Sequence, residues 1–220
     1  MTGEGNEARD GKDVLVPLVL ASQSPRRREL LGLLGLTPEV IPAHIDEQRR
    51  PGEHPEAYVE RLAREKAAVV AALRPDALVI AADTTVAIDD TIFEKPVDEP
   101  DAVRILEAIQ GRDHLVHTGI AVVWKGHARS AVETTRVWMR RLDAAAIRDY
   151  IATSEPLDKA GAYGIQGYGA VIVERISGDY FTVMGLGLGR AVALFAEVGV
   201  RYSFGGLEPL EAGNGGPGTA

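Results

Sequence analysis

Three consecutive arginines, residues 26–28, begin a predicted helix directly after Ser24 and Pro25. Serine is favoured just before a helix, and proline is tolerated at the first helical position. The first turn of a helix carries partial positive charge and normally contains Asp or Glu, so arginines there are unusual. Guanidinium groups, serine hydroxyls and the free N–H groups of a helix start all bind phosphate oxygens. The pattern therefore favours an anion-binding site, although a single arginine more often pairs with a carboxylate of its own chain.

Arg27 is the arginine that we expect to face the interior of the protein. The residues three, four and seven positions after it are leucines, so Arg27 heads the apolar face of the helix. Because three consecutive residues span roughly 200° around a helix, the three arginines cannot share one direction, and we expect Arg28 to be solvated. The predicted anion site consists of Ser22, Ser24, Arg26 and Arg27.

Asp83 follows five apolar residues, 78–82, that are typical of a buried strand. A carboxylate that closes such a strand lies where open sheets place their ligands, beyond the carboxyl edge. It can hold a hard divalent cation or orient a water molecule. On this stretch alone, an aspartate that caps a turn is an equal alternative.

Three further charged residues are less specific. Glu47 lies in a predicted loop, where a solvated acid is the favoured interpretation. Lys66 interrupts the apolar face of a predicted helix at 54–75, and its ammonium group can extend to solvent or to a charged cleft. Lys95 precedes a proline at a predicted strand end, where a solvated turn lysine is the simplest interpretation.

The segment 155–170 is rich in glycine, with few polar side chains between the glycines. Glycine lets the backbone approach a flat ligand closely. Gln166 offers both a donor and an acceptor, which can recognise a base. The alternative is a mobile linker, but Tyr163, Ile165 and Tyr168 favour a packed loop.

Strands and helices alternate along the chain, and two long strands, 113–126 and 128–142, are expected to pair antiparallel. The predicted fold class is α/β, with a mixed, partly antiparallel sheet flanked by helices. We expect a flexible tail at 1–15, one domain at 16–203 and a Gly/Pro-rich flexible tail at 204–220. Other strands are predicted at 16–22, 38–43, 77–89 and 169–178, and other helices at 24–34, 100–110, 144–156 and within 181–199.

Composition excludes several classes of function. A net charge of −8 argues against a general nucleic-acid binder. The chain has no cysteine, which excludes disulfides and thiolate zinc sites and is compatible with the cytoplasm. No apolar run approaches a membrane span, and the first residues lack the apolar core of a signal peptide. His114 and His117 are three apart on a strand and should face opposite sides, so they do not suit a shared metal.

Six motifs occur in the order seen in Maf proteins, a family of nucleoside triphosphate pyrophosphatases, and the resemblance covers about residues 16–200. The motifs are LASQSPRRRELL, RLAREKA, AADTTV, EKP, TGIAVV and EPLDKAGAYGIQG. The resemblance implies a nucleotide cleft between two lobes, related to the inosine triphosphate pyrophosphatases. It also implies hydrolysis between the α and β phosphates with a divalent metal, magnesium or manganese, giving a nucleoside monophosphate and pyrophosphate.

The same resemblance implies roles for individual residues. Asp83 matches the catalytic proton acceptor. Our own hypothesis, beside the resemblance, is that Glu47 and Asp83 hold the divalent metal. The positions that match specificity residues are Arg26, Thr84 and Gln166, and those that match other polar positions of the family are Ser22, Ser24, Arg27, Glu47, Lys66 and Lys95. The versions ADT and AGAYGIQG are similar to the branch that acts on dTTP and UTP.

Two alternatives remain open at this point. One is the same reaction on a modified purine triphosphate. The other is a nucleotide-responsive regulatory protein linked to cell division. Glu47 and Asp83 favour an enzyme, because an anion sensor gains nothing from added negative charge. We expect a nucleoside triphosphate as the partner, with no nucleic acid and no membrane, and a homodimer is left open.

Overall fold

A computed structural model describes residues 16–210 of the 220-residue chain. The tail predicted at 1–15 and residues 211–220 of the other predicted tail lie outside the described residues. The strands are β1 Leu18–Leu20, β2 Glu39–Val40, β3 Leu78–Ile88, β4 Thr91–Phe93, β5 Asp113–Trp124, β6 His127–Met139, β7 Val173–Ser177, β8 Val200–Tyr202 and β9 Leu207–Pro209. The helices are α1 Pro25–Leu33, α2 Pro55–Leu73, α3 Glu99–Ile109, α4 Ala144–Ala152, α5 Tyr180–Met184 and α6 Leu188–Glu197.

Seven of the strands form one mixed sheet, in the order β2-β1-β3-β5-β6-β7, with β4 paired to β3. The short strand β1 runs parallel to β2 and to β3, whereas β3, β5, β6 and β7 pair antiparallel. Helices occur between the strands along the chain, and they cover the sheet with their apolar faces. The predicted fold class, a mixed and partly antiparallel sheet flanked by helices, is confirmed.

Strand β3 contributes residues to three apolar clusters and connects them. Its first half packs against α1 and α6 through residues such as Ile80 and Phe195, and its second half packs against α3 and α4 around Val86. The opposite face of the first half packs against α2 through Val79 and Ala67. Because side chains alternate along a strand, Asp83 faces α2 while Thr84 faces the helices on the other side.

The connection between β2 and α2, residues 41–54, has no regular structure and is fastened to α2 by side chains. Arg61 Nε donates to Glu53 Oε1 at 2.6 Å, and its terminal nitrogen donates to Glu53 Oε2 at 2.9 Å and to the carbonyl oxygen of Gln48 at 3.0 Å. The hydroxyl of Tyr58 donates to the carbonyl oxygen of Glu47 at 2.9 Å. These contacts hold the backbone of Glu47 against α2.

Several predicted elements differ from those observed. The predicted strands at 16–22 and 38–43 shorten to β1 and β2, because the chain turns into α1 and into the long connection. The predicted strand at 169–178 begins only at Val173, after a 3-10 turn over Gly167–Val171. The predicted last helix divides into α5 and α6 at Gly185, whose φ of 109° ends α5 in a left-handed conformation.

A small antiparallel pair, β8 and β9, was missed by the sequence analysis. In this pair Leu207 lies opposite Tyr202, and Pro209 lies opposite Val200. Leu207 is buried in the cluster around α6. The flexible tail predicted from residue 204 therefore overlaps a strand that covers the core. Within residues 16–210, no helix is both long and apolar enough to cross a membrane.

Helix α2 approaches β5 so closely that only glycine fits at position 119. A Cβ atom there would lie 2.3 Å from the carbonyl oxygen of Val59, which belongs to the helix backbone and cannot rotate away. We predict that Gly119→Ala lowers the free energy of unfolding by about 1–3 kcal/mol, as overpacked cores do. Urea denaturation measures this loss.

The matched control is Gly32→Ala in α1, where an added Cβ meets nothing within 4 Å. Alanine is favoured over glycine in a helix, so this variant should be at least as stable as the parent protein. Equal stability of the two variants would contradict the close approach of α2 to β5.

Candidate active site

An open cleft of about 1100 Å³ lies between the start of α1, the connection 41–54 and the middle of β3. A smaller cavity of about 300 Å³ adjoins it on the side of the glycine-rich loop. The predicted site residues that line the larger cleft are Ser22, Ser24, Arg26, Arg27, Glu47, Lys66, Asp83, Thr84 and Lys95. Gln166 lines the smaller cavity. The fold thus brings residues from distant parts of the chain to one continuous surface.

Lys66 lies between two carboxylates of the cleft. Its Nζ atom is 2.7 Å from Oδ1 of Asp83 and 3.0 Å from Oε1 of Glu47. Lys66 and Asp83 are buried, whereas the Glu47 side chain is half exposed. The sequence left open whether the ammonium group of Lys66 extends to solvent or to a charged cleft, and the structure shows that it extends to the charged cleft.

Asp83 does not end its strand, contrary to the expectation from the sequence, because β3 continues to Ile88. Its parallel neighbour β1 ends at Leu20, opposite Ile80, so Asp83 lies just beyond the carboxyl edge of β1 instead. Burial raises the pKa of Asp83 above its ordinary value, and the charges of Lys66 and Arg27 oppose that rise only in part. A carboxylate with a raised pKa is a stronger proton acceptor than an ordinary one.

Arg27 points inward, as predicted, and is held by neutral acceptors. Its Nε donates to the carbonyl oxygen of Gly185 at 2.9 Å, and its two terminal nitrogens donate to the hydroxyls of Ser22 and Thr84, each at 3.1 Å. Among residues 16–210, it forms no ion pair with a carboxylate. Burial lowers the pKa of Arg27 from its ordinary value. A buried guanidinium without a carboxylate partner remains able to bind an anion.

The other two arginines of the cluster behave differently. Arg26 pairs with the exposed carboxylate of Asp158 at 3.0 Å, so for this arginine a partner in the same chain is found. Arg28 is exposed, as expected. The first turn of α1 contains no acidic residue, and Ser24 makes no capping hydrogen bond through its side chain. The start of α1 therefore offers free N–H groups to the cleft.

The glycine-rich loop is packed, but not in every part that the sequence indicated. Tyr163 is buried, and its hydroxyl is 2.7 Å from Nε2 of His114. Tyr168 was expected to pack and is instead 67% exposed, within the 3-10 turn over Gly167–Val171. Gln166 is exposed, and its side chain has no hydrogen-bond partner within the described part of the chain.

Tyr58, Thr85 and Glu94 also line the cleft and were missed by the sequence analysis. The hydroxyl of Tyr58 is 3.0 Å from Oε1 of Glu94. Burial raises the pKa of Tyr58 above its ordinary value. Thr85 is buried, and its hydroxyl has no partner among residues 16–210. A tyrosine on the apolar face of α2 was the available signal, since a buried hydroxyl usually has a partner.

The donor set of the cleft suits a hard divalent cation. Carboxylate oxygens are the ligands that magnesium and manganese prefer, and magnesium is usually bound by one or two carboxylates together with substrate phosphates. Oδ2 of Asp83 and Oε2 of Glu47 have no hydrogen bond within the described residues, whereas the other oxygen of each contacts Lys66. Among those residues, no group of three or more His, Cys, Asp or Glu forms a complete metal site. A cation bound there would take its further ligands from water or from phosphate oxygens.

The chain is similar to several known proteins. The dTTP/UTP pyrophosphatase of Chromobacterium violaceum is 50% identical over 83% of this chain and 94% of its own length. The dTTP/UTP pyrophosphatase of Yersinia pestis is 48% identical over 79% of this chain and 89% of its own length. That of Koribacter versatilis is 46% identical over 83% of this chain and 95% of its own length. The solved structure of the Staphylococcus aureus Ham1 protein matches 71% of this chain and 79% of its own, with a TM-score of 0.45 and 14% identity. The family model of the Maf-like proteins matches residues 17–198, and the chain therefore belongs to the Maf-like protein family.

Proposed function

We propose that this protein is a nucleoside triphosphate pyrophosphatase that hydrolyses dTTP and UTP to the nucleoside monophosphate and pyrophosphate. The observation that carries the proposal is the placement of the buried Asp83–Lys66 pair in the same cleft as Arg27, which lacks a carboxylate partner among the described residues. Relatives named dTTP/UTP pyrophosphatase, at 46–50% identity, support the choice of reaction and substrate. We propose the cytoplasm as the compartment, because disulfides are rare there and this chain has no cysteine.

In this proposal the triphosphate lies along the start of α1. Arg27 and the first-turn N–H groups bind phosphate oxygens, with the hydroxyls of Ser22 and Ser24 beside them. Arg26 exchanges its exposed partner Asp158 for phosphate, which costs little because an exposed ion pair is weak. Lys95 adds positive charge from the exposed rim of the cleft.

Glu47 and Asp83 would hold a divalent cation, magnesium or manganese, through the oxygens that do not contact Lys66. A bound cation supplies neutralisation of phosphate charge and polarisation of the anhydride. Lys66 keeps both carboxylates oriented, since it contacts one oxygen of each. Tyr58 fixes the backbone of Glu47 through its hydrogen bond to the carbonyl oxygen.

The nucleophile in this mechanism is a water molecule that attacks the α-phosphorus. Asp83 accepts the proton of this water molecule. Negative charge then develops on the leaving pyrophosphate, and Arg26, Arg27 and Lys95 stabilise it. The guanidinium groups at the start of α1 thus act on the group that gains negative charge in the transition state.

The smaller cavity is the proposed place of the base. Thr84 and Gln166 line it together with largely apolar surface from Tyr163 and Ile165. The side-chain amide of Gln166 can donate to a carbonyl oxygen and accept from a ring N–H, which uracil and thymine present side by side.

The experiment that tests the function is a panel of ordinary and modified nucleoside triphosphates with magnesium, with the products separated. We expect nucleoside monophosphate and pyrophosphate, fastest from dTTP and UTP, and no release when magnesium is removed by a chelator. Diphosphate with orthophosphate would place the cut elsewhere. A preference for a modified purine would change the substrate, and tight binding without turnover would indicate a binding protein.

Asp83→Asn separates binding from chemistry, because the amide retains the shape and loses the proton acceptor. We predict that the variant still binds dTTP and that its turnover falls by about 10² or more. Pyrophosphate release and calorimetric binding measure the two effects. The matched control is Asp46→Asn, an exposed aspartate of the same cleft, which should keep its turnover. Turnover of Asp83→Asn near that of the control would remove Asp83 from the mechanism.

A further inference from the structure

The loop that carries Gln166 is held at both ends by Tyr150 and Glu155. At its start, the backbone N–H of Gly164 donates to the hydroxyl of Tyr150 at 3.0 Å. At its end, the N–H groups of Tyr168 and Gly169 donate to the two carboxylate oxygens of Glu155, at 2.8 and 2.9 Å.

The two anchoring side chains are themselves connected. The hydroxyl of Tyr150 donates to Oε1 of Glu155 at 2.8 Å, so Tyr150 accepts from the loop and donates to the carboxylate. Burial raises the pKa of Glu155, but the hydrogen bonds from Gly169, Tyr150 and Tyr168 outweigh it, so the net pKa lies below the ordinary value. Three donors thus converge on one carboxylate, and both of its oxygens are engaged.

Two glycines of the loop, Gly167 and Gly169, fit closely against this pair. A Cβ atom at Gly167, where φ is 65°, would lie 2.2 Å from Oε2 of Glu155. A Cβ atom at Gly169 would lie 2.6 Å from the hydroxyl of Tyr150 and 2.1 Å from the carbonyl oxygen of Gly164. Side chains at these positions would push the loop away from its anchors.

Gln166 occupies the middle of this anchored loop, between Gly164 and Tyr168. Its backbone is thereby fixed from both sides, while its side chain is free to contact what enters the smaller cavity. No hydrogen bond or ion pair joins Tyr150 or Glu155 to Arg27, Lys66 or Asp83 in the described part of the chain. The anchors therefore do not contact these residues directly, and their link to Arg26 runs through Asp158, which lies on the same 3-10 turn as Glu155.

We propose that Tyr150 and Glu155 are positioning residues for base recognition, an inference that rests on the proposed function. They fix the loop backbone from which the side chain of Gln166 reaches the smaller cavity. The amide presents a donor and an acceptor, which can bind the carbonyl oxygen and ring N–H of thymine or uracil. On a loosened loop the amide is no longer kept within reach of the base, and recognition of the base weakens.

The test is base recognition by Glu155→Gln and Tyr150→Phe, measured as kcat/KM for dTTP divided by kcat/KM for 2-deoxyribose 5-triphosphate, which lacks a base. Glu155→Gln places an amide N–H₂ against a backbone N–H, and Tyr150→Phe removes the acceptor for Gly164. We expect the ratio to fall by about tenfold in each variant, in line with the loss of one hydrogen bond. We also expect kcat for dTTP to stay within about threefold and the magnesium dependence to be unchanged, because the phosphate site is untouched.

Glu174→Gln and Tyr180→Phe are the matched controls, because neither side chain forms a hydrogen bond or ion pair within residues 16–210. They should retain the selectivity of the parent protein. Amide hydrogen exchange supplies a second measurement, with faster exchange at residues 164–169 in the two test variants and not in the controls.

Two outcomes would overturn the inference alone. One is a parent protein that prefers dTTP together with test variants of unchanged ratio. The other is an equal loss of kcat/KM for dTTP and for 2-deoxyribose 5-triphosphate accompanied by a lower melting temperature, which would show a merely structural role. A parent protein that releases no pyrophosphate from any nucleotide would instead refute the proposed function, and the inference with it.

Discussion

The buried ion pair between Lys66 and Asp83 is the interaction on which the rest of the site depends. Taking two such charges out of water costs several kcal/mol for each ion, and attraction repays this only when the geometry is good. The geometry comes from the close approach of α2 to the sheet, which requires Gly119 where the helix backbone meets β5. Replacement of such a pair by apolar residues is often neutral or stabilising, so we infer that the pair is kept for chemistry.

Strand β3 separates the two tasks of the cleft. Because its side chains alternate, Asp83 faces α2 with Lys66, whereas Thr84 faces α1 and contacts Arg27. The short strand β1 ends before these positions, so both faces of β3 are open to the cleft there. In the proposed function, one face handles the water and the scissile phosphate, and the other leads towards the base.

The sequence was informative where a local pattern determines the structure. Alternation and helical spacing predicted the mixed sheet and the inward direction of Arg27. Contacts between distant segments were beyond it, since no spacing shows that Lys66 reaches Asp83 or that Tyr58 holds Glu47. The same holds for the glycine-rich loop: glycine density indicates close approach, but not that Glu155 is one of the approaching groups. Strand β9 was missed because its Gly/Pro-rich surroundings resemble a tail, although Leu207 packs into the core.

The most direct test of the central claim is the free energy of unfolding of the double variant Lys66→Met/Asp83→Val, measured by urea denaturation, with pyrophosphate release recorded on the same sample. If the pair is kept for chemistry, the double variant should unfold at the same or a higher urea concentration and should release no pyrophosphate from dTTP. A loss of stability of several kcal/mol, or turnover that survives the substitutions, would contradict the account.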